Sequence, residues 1–342
     1  MDQGKETIDW LYREQLKVDD KWSIKNKEGF TWWADEFAQT IEVHGKEEDE
    51  TGSVAHLILT KTELLNGCQL ATDTLDFLSA RFLNNSSMAG LVLDTSTGSA
   101  SLQSLVRIYP EISHWMNPLI SVSAALQLYE ARALTQQIPS KLNISKAQSV
   151  HPTSGSRVQR DEIAELAETL FIPHGSEPSR WEPEEFHYAV SDYMQQPPVL
   201  DANSGDHGLT AEFPFGGESS LLQMKTDEKH PAYGSGLLIR HSFPTGVSKT
   251  KSCELALTLN VQELNDKPFG YGFGSYHATE NILHFSTFIP NTGYQPNMVP
   301  NYFFAATARA RGVSNVISGN DWSQENFDPK KSAIGKVIFE EK

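Results

Sequence analysis

The stretch "MAGLVLDTSTGSASLQSLVRIYPEISHWMN" (88–117) decides how this chain is read, because "PFGYGFGSYHATENILHFSTFIPNTGYQPN" (268–297) has the same shape 180 residues later. Laid over one another without a gap, Gly90 meets Gly270, Leu93 meets Phe273 and Leu102 meets Ile282. Leu105 then meets Phe285, Ile108 meets Phe288, Pro110 meets Pro290 and Asn117 meets Asn297. Identities are few. The weight rests on the polarity pattern, because a slip of one residue moves every strand side chain to the other face.

The likeness runs outward in both directions. "TDTLDFLSARFLN" (72–84) and "SCELALTLNVQEL" (252–264) read as helices, with apolar residues three and four apart and Ser, Thr or Asp at the start. Before them, "VAHLILTKT" (54–62) and "GSGLLIRHSF" (234–243) read as strands, preceded by "FTWWADEFAQTIEV" (30–43) and "LTAEFPFGGESSLLQM" (209–224). Downstream, "NPLISVSAALQLYEARAL" (117–134) and "NMVPNYFFAATARARGV" (297–313) read as helices with Pro near the first turn and Arg near the end. Helical sequence also opens each half, at 5–18 and at 160–171.

The expectation is an α+β fold of two tandem α-β-β-α-β-β-α units, with antiparallel sheets covered by helices, forming a pseudo-dimer within one chain. The first repeat spans 1–138 and the second 158–320, with an insert at 172–208 and a tail at 321–342. Between the repeats, residues 139–157 are polar and Pro/Ser-rich and read as an exposed linker.

This order of elements resembles the type III secretion chaperone-like fold shared by the YbjN-like and TY-Chap families. The helix between two antiparallel strand groups carries the resemblance, which covers both halves. It implies two paired units holding an extended segment of a client protein, a pair that a duplicated chain supplies by itself. The insert has no counterpart in the first half, and the chain is more than twice the usual chaperone length.

Composition narrows the partners. The chain of 342 residues carries a formal charge of −16, which argues against nucleic acid and anionic membranes as partners. The start has no basic and apolar leader pattern, and no apolar run approaches the roughly 20 residues of a membrane span. Two cysteines, Cys68 and Cys253, fit a reducing compartment, so a cytoplasmic location is expected.

Catalytic signatures are missing. The 11 histidines form no HExxH and no helical i,i+4 pair, and there is no CxxC, GxSxG or P-loop. No metal and no cofactor are expected. "HATENILH" puts His277 in a turn and His284 on the following strand, a spacing that argues against a shared metal. "GYGFG" (270–274) is followed by strand-like residues, so it reads as a site of close packing or an apolar groove rather than a phosphate loop.

Aromatic residues supply the main candidates. Trp32, Trp33 and Phe37 cluster on one expected strand, where adjacent tryptophans point to opposite faces, so one is expected to fill the core. The other is expected either to face outward at an interface or to pack under the N-terminal helix carrying Trp10 and Tyr12 or against the other half. Tyr271 and Phe273 flank the glycines, and Tyr294 follows the last strand. These six are the expected contacts of a protein client. The alternative is an enzyme or small-ligand site beneath the insert, built from Glu184, Glu185, His187, Asp206 and His207. The balance favours binding over catalysis.

Overall fold

The computed structural model describes residues 2–49, 52–69, 71–79, 87–136, 138–170, 177–195, 207–215, 218–317 and 337–340. The chain forms two compact units. The first comprises 1–170 together with 260–268 and 272–275; the second holds the remainder.

The first unit opens with α1 (Gln3–Trp10), whose N-cap Asp2 accepts from the Lys5 amide. Its sheet contains β1 (Ser23–Lys25), β2 (Gly29–Trp33), β3 (Ala38–Glu48), β4 (Val54–Asn66), β5 (Gly90–Asp94), β6 (Ser99–Ile108) and β7 (Ser145–Lys146). The order is β1-β2-β3-β4-β6-β5, with β7 pairing β4. α2 (Thr72–Leu78) connects β4 to β5, α3 (Ser113–Leu134) follows β6, and α4 (Glu162–Leu170) packs on α3.

The remaining elements are α5 (Pro183–Met194), β8 (Gly208–Phe215), β9 (Glu218–Lys225), β10 (Gly236–Pro244), α6 (Lys249–Val261), β11 (Ser275–Thr279), β12 (Ile282–Pro290), α7 (Met298–Ile317) and β13 (Val337–Glu340), and all but Asn260, Val261 and Ser275 fall in the second unit. The order of its sheet is β11-β12-β10-β9-β8-β13. The α+β class with antiparallel sheets is therefore as expected. No helix among the described residues is long and apolar enough to cross a membrane.

The two sheets share a path. In each, a three-stranded meander leads through a helix to a hairpin, and the second hairpin strand returns to the last meander strand: β2-β3-β4-β6-β5 and β8-β9-β10-β12-β11. Before its middle helix the first unit thus has two strands more than the expected pattern, β1–β4, and the second unit one more, β8–β10.

The ungapped register does not carry over. On β6, Ser104 faces α3, where its hydroxyl lies 3.3 Å from Ser123 Oγ, while Leu105 joins Leu57 and Leu59 on the other side. On β12, Phe285 faces α7, with the Arg309 guanidinium 3.5 Å from its ring centre. An offset of 180 therefore matches residues on opposite faces. Pro110 opens a 3-10 turn beyond β6, whereas Pro290 is still on β12, opposite Gly236. The physical reason is that β6 is buried on both sides yet carries its apolar residues mainly on the parity of Ser104 (Ala100, Leu102, Val106 and Ile108), so an overlay that pairs Leu105, the one apolar residue of the other parity, with Phe285 joins opposite faces.

The 139–157 segment is bound to the first unit. Ala147 N–H donates to the Leu64 carbonyl and Ser149 N–H to the Glu36 carbonyl, while Ile144, Ala147 and His151 are buried. Residues 160–171, expected to open the second repeat, begin as the helix that packs on α3. Arg157 fastens this stretch: it donates to the Trp33 carbonyl at 2.7 Å and pairs with Asp161 at 3.0 Å.

Between sheet and helix, each unit solves its polar core differently. In the first, Gln39 Nε2 donates to Thr62 Oγ1 at 2.8 Å and to the Ala124 carbonyl at 2.9 Å, and Trp32 Nε1 donates to Gln39 Oε1 at 3.0 Å. Thr62 in turn donates to Gln127 Oε1 at 3.0 Å. The second unit instead buries His241, whose Nε2 lies 2.9 Å from Ser220 Oγ, among Phe213 and Phe243.

Candidate functional site

The aromatic candidates are largely interior. Trp32 and Phe37 are fully buried and Trp33 is 6% exposed, so neither tryptophan presents an outward ring. They do point to opposite faces, but both faces of β2 are covered. Trp33 Nε1 donates to Ser149 Oγ at 3.1 Å, and its ring meets His151 edge-on at 4.8 Å, so the 147–151 chain occupies that side. The two tryptophans alternate as expected, and the second is packed rather than outward, its cover being Ser149 and His151 rather than the N-terminal helix.

Phe273 is likewise buried. Next to it, Gly272 has φ +68°, and a Cβ there would lie 1.7 Å from the Leu105 carbonyl oxygen. The glycine-rich stretch thus serves close backbone approach, not a groove. Tyr271 is half-buried; its hydroxyl donates to Asn301 Oδ1 at 3.2 Å and its ring meets Tyr302.

The insert residues divide. Tyr294 OH donates to Glu185 at 3.3 Å, and burial raises the Glu185 carboxyl above its ordinary value. Trp181 packs edge-on to Tyr294 at 5.3 Å. So one residue of each candidate set meets the other. Glu184 is exposed, His187 is buried on α5, and His207 uses its carbonyl to accept from the Thr226 amide. Asp206 lies outside the described residues. A groove of about 420 Å³ lies nearby, lined by Tyr188, Asp192, Asn297, Pro300, Asn301 and Phe304, none of them in the expected site.

Titratable groups offer little for catalysis. Burial pushes the Cys68 thiol up to about 11, which removes it as a nucleophile. The Ser220–His241 pair resembles a nucleophile and base, yet both side chains are wholly buried. Among the described residues, no group of three or more His, Cys, Asp or Glu is placed to hold a metal. The expected separation of His277 and His284 is corrected: the β11–β12 hairpin stacks their rings with centres 5.1 Å apart. Two residues seven apart in sequence become cross-strand neighbours when the turn between them is tight.

A surface absent from the sequence candidates is the outer face of the second sheet. β9 and β10 alternate strictly between buried and half-exposed positions over most of their lengths. The registers align one row across five strands, Ile338, Thr210, Gln223, Arg240 and Ser286. A second row joins Glu212, Leu221, Ser242 and His284. Apart from Ile338, 46% exposed, these side chains are half-exposed.

Arg240 sits at the centre and forms no ion pair or hydrogen bond among the described residues. His284 is held between Ser242 Oγ at 2.8 Å and Thr279 Oγ1 at 2.7 Å. Burial, aided by the Arg240 charge, lowers its pKa to about 4, so it is neutral near pH 7. An arginine fork beside neutral donors and acceptors suits a carboxylate or a peptide carbonyl. The signal that could have found it is the "LLIRHSF" pattern, with Arg240 on the polar parity of a central strand.

Searches against protein-family models, curated proteins and solved structures found no match to this chain.

Proposed function

We propose that this chain is a non-enzymatic, cytoplasmic protein-binding module, chaperone-like in the sense of holding a partner rather than transforming it. The partner lies across the open face of the second sheet, with Arg240 as its polar anchor. The observation that carries this reading is the five-strand row centred on an arginine without an ion pair among the described residues. A half-exposed guanidinium without a protein partner among the described residues leaves its fork of donors to water, which an incoming carboxylate or carbonyl can replace with charge-assisted hydrogen bonds. The matching strand paths support reading the chain as a duplicated unit, one copy retaining a wet sheet face.

The test is capture from native cytoplasmic extract with the tagged full chain, Arg240→Glu and, as a control on the insert, Glu184→Lys. Thermal melts check that each variant folds. Proteins enriched by the wild type should be lost with Arg240→Glu and kept with Glu184→Lys. An unchanged set with folded Arg240→Glu would remove the sheet face as the docking surface.

A further inference from the structure

The second sheet is completed by a strand from the end of the chain. β13 pairs antiparallel with β8 in the register Val337↔Ala211, Ile338↔Thr210, Phe339↔Leu209 and Glu340↔Gly208. β8 has eight residues and β13 four, so Glu212–Phe215 has no strand on that side among the described residues. Residues 318–336, nineteen in all, separate β13 from the end of α7 at Ile317. A tether of that length reaches up to about 60 Å when extended, so connectivity does not force β13 onto this edge.

The hold on β13 is slight. A four-residue strand gains few ladder hydrogen bonds, and ordering its backbone costs a comparable amount. Ile338 is 46% exposed. An edge with unpaired N–H and C=O groups is a template for another extended segment, main-chain bonds giving affinity and alternate side chains giving selectivity.

We propose that the β8 edge is an acceptor for an extended segment of a partner protein, three apolar residues followed by an acid, and that β13 is its resident occupant, displaced when the partner docks. The segment's pattern is that of the strand now seated there, Val-Ile-Phe-Glu. Its third residue stands opposite Leu209, a wholly buried position, which requires an apolar side chain. Its acid takes the register position opposite Gly208, in line with Lys225 of the next strand, whose Nζ also lies 3.7 Å from Glu228. This edge adjoins the face centred on Arg240, whose row ends at Thr210 and Ile338, but its test reads backbone pairing at β8 alone, so failure here leaves the reading of Arg240 on β10 intact.

The probe is a fluorescent peptide of residues 336–342, KVIFEEK, titrated by anisotropy against the full chain and against the double variant Val337→Pro, Ile338→Pro. The prolines remove strand N–H groups and vacate the edge. The peptide should bind the proline variant at least tenfold more tightly than the wild type. Equal affinity for both, or none for either, overturns the proposal. If the variant does not fold, hydrogen exchange on the unaltered chain decides. Amides of 337–340 should exchange at least a hundredfold faster than those of β10, and equal protection would make β13 integral to the sheet. Sedimentation of the wild type adds one more outcome: a concentration-dependent dimer that the prolines abolish would make a second copy the occupant and overturn the partner assignment.

Discussion

The central strands of the two sheets, β4 and β10, occupy the same place in the same path and differ in how many faces they bury. From Ala55 to Thr60, β4 is buried on both parities, while β10 alternates. On the first sheet's outer side, Leu57, Leu59 and Leu105 form an apolar cluster against which the Gly272 backbone lies close. On the second, the corresponding side carries Leu238, Arg240 and Ser242, half-exposed. One scaffold thus yields a central strand buried on both sides in the first sheet and one open on a side in the second. The open one retains a surface for recognition.

The largest expected effect separates the units by pH. His230 and His284 titrate at about 4, and His241 lies well below its ordinary 6.5, each chiefly through burial. Below 6.5 the unfolded chain takes up protons that the native second unit refuses, so stability present above 6.5 is lost between 6.5 and about 4. In the first unit, burial raises the Asp35 carboxyl from 3.8 to about 6. Its contribution is complete below 3.8 and lost as pH rises through 6, so acidification from 7 to 5 favours that unit; His56, lowered by burial, offsets part of this. Hydrogen exchange at pH 7 and pH 5 should show the second unit losing roughly 4 kcal/mol and the first changing by about 1 or less. Parallel loss in both units would break the contrast.

Two glycines sharpen the difference in covering. Gly272 and Gly246 have φ of +68° and +66°, but only at Gly272 does backbone crowd the missing Cβ, Gly246 having nothing within 4 Å. Gly272→Ala should cost about 3 kcal/mol or more in urea unfolding and Gly246→Ala about 1. Equal costs would mean that the Leu105 carbonyl is not pressed by that chain. Leu59→Ala and Leu238→Ala compare the outer faces directly: about 3 kcal/mol at the sealed position and below about 1 at the open one, measured by thermal melts.

The smallest effect concerns the polar cores. Gln39→Leu leaves Trp32 Nε1 without its acceptor and removes one bond each from Thr62, which keeps Gln127, and from the Ala124 carbonyl within α3, for a loss of about 2 kcal/mol. His241→Leu removes one bond, to Ser220, and should cost about 1 kcal/mol near pH 7. It should also flatten the acid loss of the second unit, which a pH series of melts would read.

Much of the fold was legible. The helical spacing in 117–134 lies within α3 and that in 297–313, apart from Asn297, within α7, and the strand-like runs at 54–62 and 234–243 correspond to β4 and β10. The turn in "HATENILH" was legible too, yet its consequence was not, because contact between His277 and His284 depends on how tightly the hairpin closes. The site was less legible than the fold. Trp32 and Trp33 satisfy the pattern of an interface residue, but the cover on Trp33 comes from 147–151, more than a hundred residues away, which no local spacing encodes.

By itself the sequence determined the α+β class, the antiparallel sheets and the order of most elements, because period-two and period-3.6 patterns and turn residues act over a few positions. Tertiary structure alone decided the register between the halves, the attachment of 139–170 to the first unit and which sheet face stays open. Each depends on burial by distant segments. A strand buried on both sides, as β4 is from Ala55 to Thr60, carries apolar residues on both parities, Leu57 and Leu59 against Ile58, so its sequence does not record which face meets which neighbour.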